Sequence, residues 1–246
     1  MSRDFNGTTS LIRVPTTSLL NDAEPFTLVA WIYPEGLGEN SNGRLMDKAD
    51  LGTDVGPWRW FITANTALIF TKDYATTDLR RESNTNSFAL NRWTHVAVTW
   101  DGSPTATNVK MYFNGVEETV YLATTDGSGA KNSDAAFDLR LGNVGNATRT
   151  FNGQMAYLGL IRRVLTRDEI LSEMHHPGIT ARGPAGVGTA GYVGFWTLNG
   201  QSAVEADASG NRSDGTTLSS VPFHANTPPV NELYGAVQSQ GGYCGG

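Results

Sequence analysis

The chain has 246 residues, 39% of them hydrophobic and only 17% charged, and its 18 basic and 24 acidic residues give a net charge of −6. That length fits one large all-β domain or two small ones; the apolar content can form a sizeable core, and no broad basic surface is left for phosphates, which argues against nucleic acid as a partner. A single cysteine, Cys244, rules out an intrachain disulfide, no run approaches the roughly 18 apolar residues of a membrane span, and the opening residues 1–7 lack the apolar segment of a secretory signal.

Residues 26–33, Phe-Thr-Leu-Val-Ala-Trp-Ile-Tyr, are apolar on both alternating sets and stop at Pro34-Glu35-Gly36, which predicts a strand buried on both faces. Trp58, Trp60 and Ile62 share one face of the next run, and residues 67–70 follow the turn-prone Asn65-Thr66, so a hairpin is predicted. Residues 93–100 end at Asp101-Gly102, and residues 109–113 end at Asn114-Gly115 before a run over 116–120. Asn114-Gly115 is the strongest hairpin signal, because a type I′ turn needs positive φ at both central positions. Runs at 138–142 and 153–161 complete this series. Residues 166–175 are the one predicted helix: Thr166 and Glu169 form a capping box and Pro177-Gly178 stops it. A Gly/Ala/Pro-rich connection over 178–190 follows, then a strand-like run at 192–198, a turn-like stretch over 207–215, and little periodicity from Phe223 onward. The sequons at Asn6, Asn146 and Asn211 read as polar turns.

The order of these pieces resembles the laminin-G-like jelly-roll group of the concanavalin A-like lectin and glucanase superfamily. Phe5-Asn6-Gly7 with Leu11-Ile12-Arg13-Val14-Pro15 is similar to that group's opening strand pair. Phe26-Thr27-Leu28-Val29-Ala30-Trp31-Ile32-Tyr33-Pro34 is similar to its "FTisaWvkP" strand. Arg92-Trp93-Thr94-His95-Val96-Ala97-Val98-Thr99-Trp100-Asp101-Gly102, followed by Tyr112-Phe113-Asn114-Gly115, resembles its "W-x-H-V-A-x-T…D-G…Y-x-N-G" hairpin. Gly142-Asn143, Phe151-Asn152-Gly153-Gln154-Met155 and Leu165-Thr166-Arg167-Asp168-Glu169-Ile170 resemble its ending, so the likeness runs in order over residues 3–176. It implies an all-β, concanavalin A-like jelly-roll sandwich of two antiparallel sheets with one short helix. The core is set at 1–177, the connection at 178–190 and an extension at 219–246. Residues 191–218 resemble a segment that commonly precedes the first strand, and they are expected to complete the same sandwich as a permuted strand pair. The arrangement also resembles bacteriophage proteins carrying such a domain, which implies a virion location after synthesis in the host cytoplasm.

The glucanases of the superfamily use two facing carboxylates, typically presented as Glu-x-Asp-x-x-Glu, and no such run is present. Glu205-Ala206-Asp207 lacks the third acid, Glu169 and Glu173 have plain i,i+4 helix spacing, and Glu117-Glu118 point to opposite faces of a strand. His175-His176 have the wrong spacing for one helix face, His95 reads as a structural polar group, and Cys244 has no basic neighbour to activate it. No cofactor is expected, with calcium the one optional metal: Asp207, Asn211 and Asp214, with Ser209 and Ser213 between them, alternate like ligands of a hard-cation loop, and an Asx turn explains the same residues. Trp58, Trp60 and Tyr74 are the candidate glycan-stacking residues, against a core reading for each. Leu233, Tyr234, Val237 and Tyr243 are the candidate anchors by which the extension contacts a partner. The leading expectation is a non-enzymatic virion structural module, a capsid decoration, head-fibre or tail-associated protein, docking through the extension onto other virion proteins or further copies of itself. The alternative is a lectin module for cell-surface glycans, with or without calcium, and the third reading is a glycoside hydrolase.

Overall fold

The computed structural model describes residues 1–49, 56–178, 191–200 and 202–230. In chain order the strands are β1 (Ser2–Asn6), β2 (Ile12–Val14), β3 (Phe26–Pro34), β4 (Arg44–Lys48), β5 (Trp58–Ile62), β6 (Leu68–Lys72), β7 (Leu79–Ser83) and β8 (Thr94–Trp100). They continue as β9 (Lys110–Phe113), β10 (Val116–Glu117), β11 (Tyr121–Thr125), β12 (Leu139–Leu141), β13 (Asn152–Ile161), β14 (Tyr192–Trp196), β15 (Val204–Glu205), β16 (Gly215–Thr217) and β17 (Phe223–His224). The one α-helix among the described residues, α1 (Arg167–His175), starts at the predicted capping box: the Thr166 hydroxyl accepts from the Glu169 amide and the Glu169 carboxylate accepts from the Thr166 amide.

Two antiparallel sheets face each other, as the jelly-roll expectation requires. The eight-stranded sheet runs β10-β9-β8-β3-β13-β1-β17, with β14 also on β13; the nine-stranded sheet runs β11-β7-β6-β5-β4-β12-β2-β16-β15. β3 and β8 lie at the middle of the first sheet, with the helix side on one face and the core on the other, which is why their sequences are apolar throughout. Asn114 and Gly115 have φ of 50° and 76°, the two positive angles a type I′ turn demands. Phe26, Trp58, Phe70 and Trp100 meet between the sheets with ring centroids 5.4 to 5.7 Å apart.

Four strands, β4, β7, β11 and β17, were not legible as strands, and β4 shows one reason. Its sequence Arg-Leu-Met-Asp-Lys is three-fifths charged, yet every residue is buried. Lys48, Trp58 and Lys72 stand side by side across β4, β5 and β6. The Lys48 ammonium donates to the Leu20 carbonyl (2.7 Å) and the Asp134 carboxylate (2.8 Å), which also accepts from the Trp58 indole (2.9 Å). Lys72 donates to the Asn132 carbonyl (2.7 Å) and pairs with Glu24 (3.2 Å). Burial still outweighs Asp134 and draws the Lys48 ammonium below its ordinary pKa.

The segment expected as one permuted strand pair divides between the two sheets instead. β14 pairs with the second half of β13, beside β1 on the first half, whereas β16 lies between β2 and β15. The ten-residue β13 is long enough to take two partners end to end on one edge. The boundary at 219 also shifts, because Phe223 and His224 pair with Arg3 and Ser2 as β17.

Candidate functional site

Three connections meet at one end of the sandwich: residues 63–67 between β5 and β6, residues 84–93 between β7 and β8, and the turn at Asn114. They enclose an open cleft of about 470 Å³ lined by Thr66, Asn86, Ser87, Phe88, Ala89, Leu90, Arg92, Thr94 and Asn114. The hairpin turn fixes Asn114, whose Oδ1 accepts from the His95 amide (3.0 Å) and whose amide donates to the His95 carbonyl (2.8 Å). The two other connections are tied together: the Asn86 amide donates to the Asn65 carbonyl (2.9 Å), and the Thr66 hydroxyl lies 3.2 Å from Asn86 Oδ1. Ser87 donates to the Asn84 carbonyl (2.7 Å) and Glu118 (3.0 Å), and the buried Phe88 ring anchors the loop to the core. Arg92 is exposed and is the one charged residue in the lining. The lining therefore offers amide, hydroxyl and guanidinium donors beside the apolar Leu90, a set suited to a hydroxyl-rich ligand and lacking a carboxylate pair for hydrolysis.

The glycan-stacking assignment is corrected. Trp58 and Trp60 lie in the core at 1% and 0% exposure and Tyr74 is buried against the same cluster, so no ring face is open to a sugar. Their polar neighbours in sequence are strand residues of the opposite parity, and alternation alone could not say which parity faced inward.

The structure brings Asp207, Asn211 and Asp214 into one loop, where their polar groups are engaged with the backbone. Asp207 Oδ1 accepts from the Phe195 and Ser209 amides (both 2.9 Å), its Oδ2 from the Ser213 amide (3.0 Å), and Asp214 Oδ1 from the Asp207 amide (2.8 Å). The Asn211 side-chain amide donates to the Tyr192 carbonyl (2.7 Å). These bonds carry the Asx-turn reading: the loop is a clip holding β14. Among the described residues no three His, Cys, Asp or Glu side chains group at metal-holding distance.

Of the other candidates, Glu117 pairs with Lys110 (2.5 Å), Glu118 is taken by Ser87 and the Thr119 and Val120 amides, and Glu205 pairs with Arg3 (2.8 Å). His95 is buried beside Trp31, and burial, aided by His175, lowers its pKa to about 3. Cys244 and the anchors Leu233, Tyr234, Val237 and Tyr243 lie outside the described residues. Among the described residues no helix is long and apolar enough to cross a membrane. Asn86, Ser87 and Arg92 escaped sequence reading because the strand before them, β7, carries Arg80, Arg81 and Glu82 and shows no apolar run.

The fold is similar to that of a candidate carbohydrate binding protein from Bacteroides ovatus, at a TM-score of 0.58 and 19% identity over 92% of this chain, and the chain spans 61% of the length of that protein. It is also similar to the heptameric SAP-like pentraxin of Limulus polyphemus (TM-score 0.49, 13% identity, 81% of this chain and 92% of that one). A third similar structure is the CBM40 of Ruminococcus gnavus IT-sialidase bound to α2,3-sialyllactose (TM-score 0.46, 13% identity, 70% and 97%). At such identities the likeness is one of fold. No curated protein matches the chain. Strands β2 to β13, the Asn114-Gly115 hairpin and the capped start of the helix fall within residues 6–171, which match the family model described as the concanavalin A-like lectin/glucanases superfamily, and the chain belongs to that family.

Proposed function

We propose that the protein is a non-catalytic carbohydrate-binding module that takes a saccharide in the loop cleft at the end of the sandwich. The observation that carries this reading is the lining: Asn86, Ser87, Arg92 and Asn114 converge from two loops, with no carboxylate among the lining residues. The lectin-like fold supports it. A glycan array of the full chain, run with and without calcium, tests both the binding and the optional metal. Reproducible binding that falls by roughly tenfold in Arg92→Ala and Asn86→Ala is expected, since each removes a polar contact. Absence of binding sinks the reading, and turnover of a β-glucan panel overturns its non-catalytic part.

A second reading, a virion structural module, is favoured by one observation. β17 holds Phe223 and His224, at the described start of the extension, on β1. Deleting residues 231–246 is then expected to abolish incorporation into particles while leaving the melting temperature of the domain unchanged. Retained incorporation, or the lack of any particle containing the chain, overturns this reading.

A further inference from the structure

The outer face of the eight-stranded sheet, away from the core, carries a row of side chains unlike the rest of that face. Asp4 on β1 is opposite Gln154 on β13, and Gln154 is opposite Tyr33 on β3. Continuing the register of Trp31 with His95 by two residues places Trp93 beside Tyr33, and their ring centroids are 5.6 Å apart. All four point outward, because Phe5, Ile32 and Met155, their neighbours of opposite parity, belong to the core. The row crosses four strands, about 14 Å at the usual interstrand spacing.

Its exposure and its bonding are both unusual. Tyr33, Trp93 and Asp4 are half-buried and Glu35, at the end of β3, is exposed, so the row is open to solvent at its rim. At its centre Gln154 is only 2% exposed; its Nε2 donates to Glu35 (3.0 Å), and its Oε1 has no partner. The Trp93 Nε1–H has none either. A buried acceptor and a buried donor left over in one row are rare in a settled surface. Burial and the neighbouring Glu35 push the Asp4 carboxyl above its ordinary pKa, with His224 opposing. One side of the row is walled by the chain after β17. Ser2 donates to the Asn226 carbonyl (2.8 Å), Pro228 is buried, and Val230 packs on the cluster of Trp31, Ala156 and Met174, against which Trp93 also packs.

We propose that this row is a second saccharide platform, on which a neutral oligosaccharide lays a ring against Tyr33 and Trp93 and directs hydroxyls to Gln154, Asp4 and Glu35. A hydroxyl both donates and accepts, so one class of group answers the unpartnered Gln154 oxygen and indole N–H once the side chains that cover them yield. The two carboxylates, Asp4 and Glu35, disfavour an acidic sugar. Trp93 lies between the cleft residues Arg92 and Thr94 but is not itself in the cleft lining, so variants on either side separate the two sites.

Trp93 gives the test its readout, because the other five tryptophans are at most 4% exposed. Acrylamide quenching of the full chain is measured with cello-, laminari-, chito-, xylo- and malto-tetraose at millimolar concentration. At least one is expected to lower the quenching constant of the accessible tryptophan by about twofold. Asp4→Asn and Gln154→Leu, checked for an unchanged melting profile, should abolish that protection, and Arg92→Ala should retain it. Should one of them fail to melt cooperatively, Tyr33→Leu, which removes a half-exposed ring, takes its place. No protection by any of the five sugars overturns the platform, as does protection that survives these variants or requires Arg92.

Discussion

Arg3 shows how one side chain can hold two distant parts of the chain together. Its guanidinium donates to Glu205 (2.8 Å), to the Val221 carbonyl (2.8 Å) and to the Ser202 carbonyl (2.6 Å), while Glu205 also accepts from the Leu198 amide (2.8 Å). Both ions are almost fully buried, so removing one strands the other. Arg3→Met is expected to lower the unfolding free energy in urea by about 3–5 kcal/mol, and adding Glu205→Leu should restore much of it. His95 gives a pH dependence. Its folded pKa of about 3 lies below its ordinary 6.5, so between those values the unfolded chain binds the extra proton and stability falls as pH drops. From pH 6.5 downward the slope from this residue approaches about 1.4 kcal/mol per pH unit. In His95→Gln that part of the slope should vanish, which paired urea titrations at pH 7 and pH 5 will show; equal slopes would refute it. At this scale the sequence showed which residues were unusual, and their surroundings stayed hidden. Trp58 and Trp60 could be read as core or as sugar platform, whereas Trp93, read from sequence as the first residue of a strand, is the tryptophan left half-exposed.

Among the elements, those with apolar runs and marked ends were legible: β3, β8, the β9–β10 hairpin and α1 all lie where the local chemistry predicts them. β4 and β7 were not, because three of the five residues in each are charged, and these pair within the strand, as Arg44 with Asp47 and Arg80 with Glu82, or far along the chain, as Lys48 with Asp134. β14 is the element on which the C-terminal third depends. It covers the edge of β13 from Leu158 to Ile161, and it buries Trp196 at 0% exposure, with the indole donating to the Ser213 carbonyl (2.8 Å). A chain truncated after Gly178 loses β14, β16 and β17, uncovering edges on both sheets. It also loses the burial of Val193, Phe195, Trp196 and Leu198, worth roughly 1.5–3 kcal/mol for each large side chain. That sum rivals the 5–15 kcal/mol stability of a whole domain. The fragment is expected to aggregate on size-exclusion chromatography and to show no cooperative melt; a soluble, cooperatively melting fragment of unchanged stability would count against this.

For the whole molecule, function follows from which faces the two sheets leave open. The packed interior takes the large aromatic side chains, so the candidate binding surfaces fall on the loop cleft and on the outer row of Trp93, Tyr33, Gln154 and Asp4. The extension, aperiodic in sequence, is seated through residue 230 against its own sandwich. The sequence by itself determined the central strands, the hairpin turn and the helix start, because each rests on a local rule: alternation, positive φ at Asn114-Gly115, and a reciprocal cap at Thr166 and Glu169; the two-sheet architecture was implied by its resemblance to the laminin-G-like group. Only the tertiary structure decided which parity of each strand faces the core, that β14 and β16 join different sheets, and which loop residues meet in a cleft. Those outcomes depend on contacts between residues as far apart as Arg3 and Glu205, and no local pattern encodes a partner two hundred positions away.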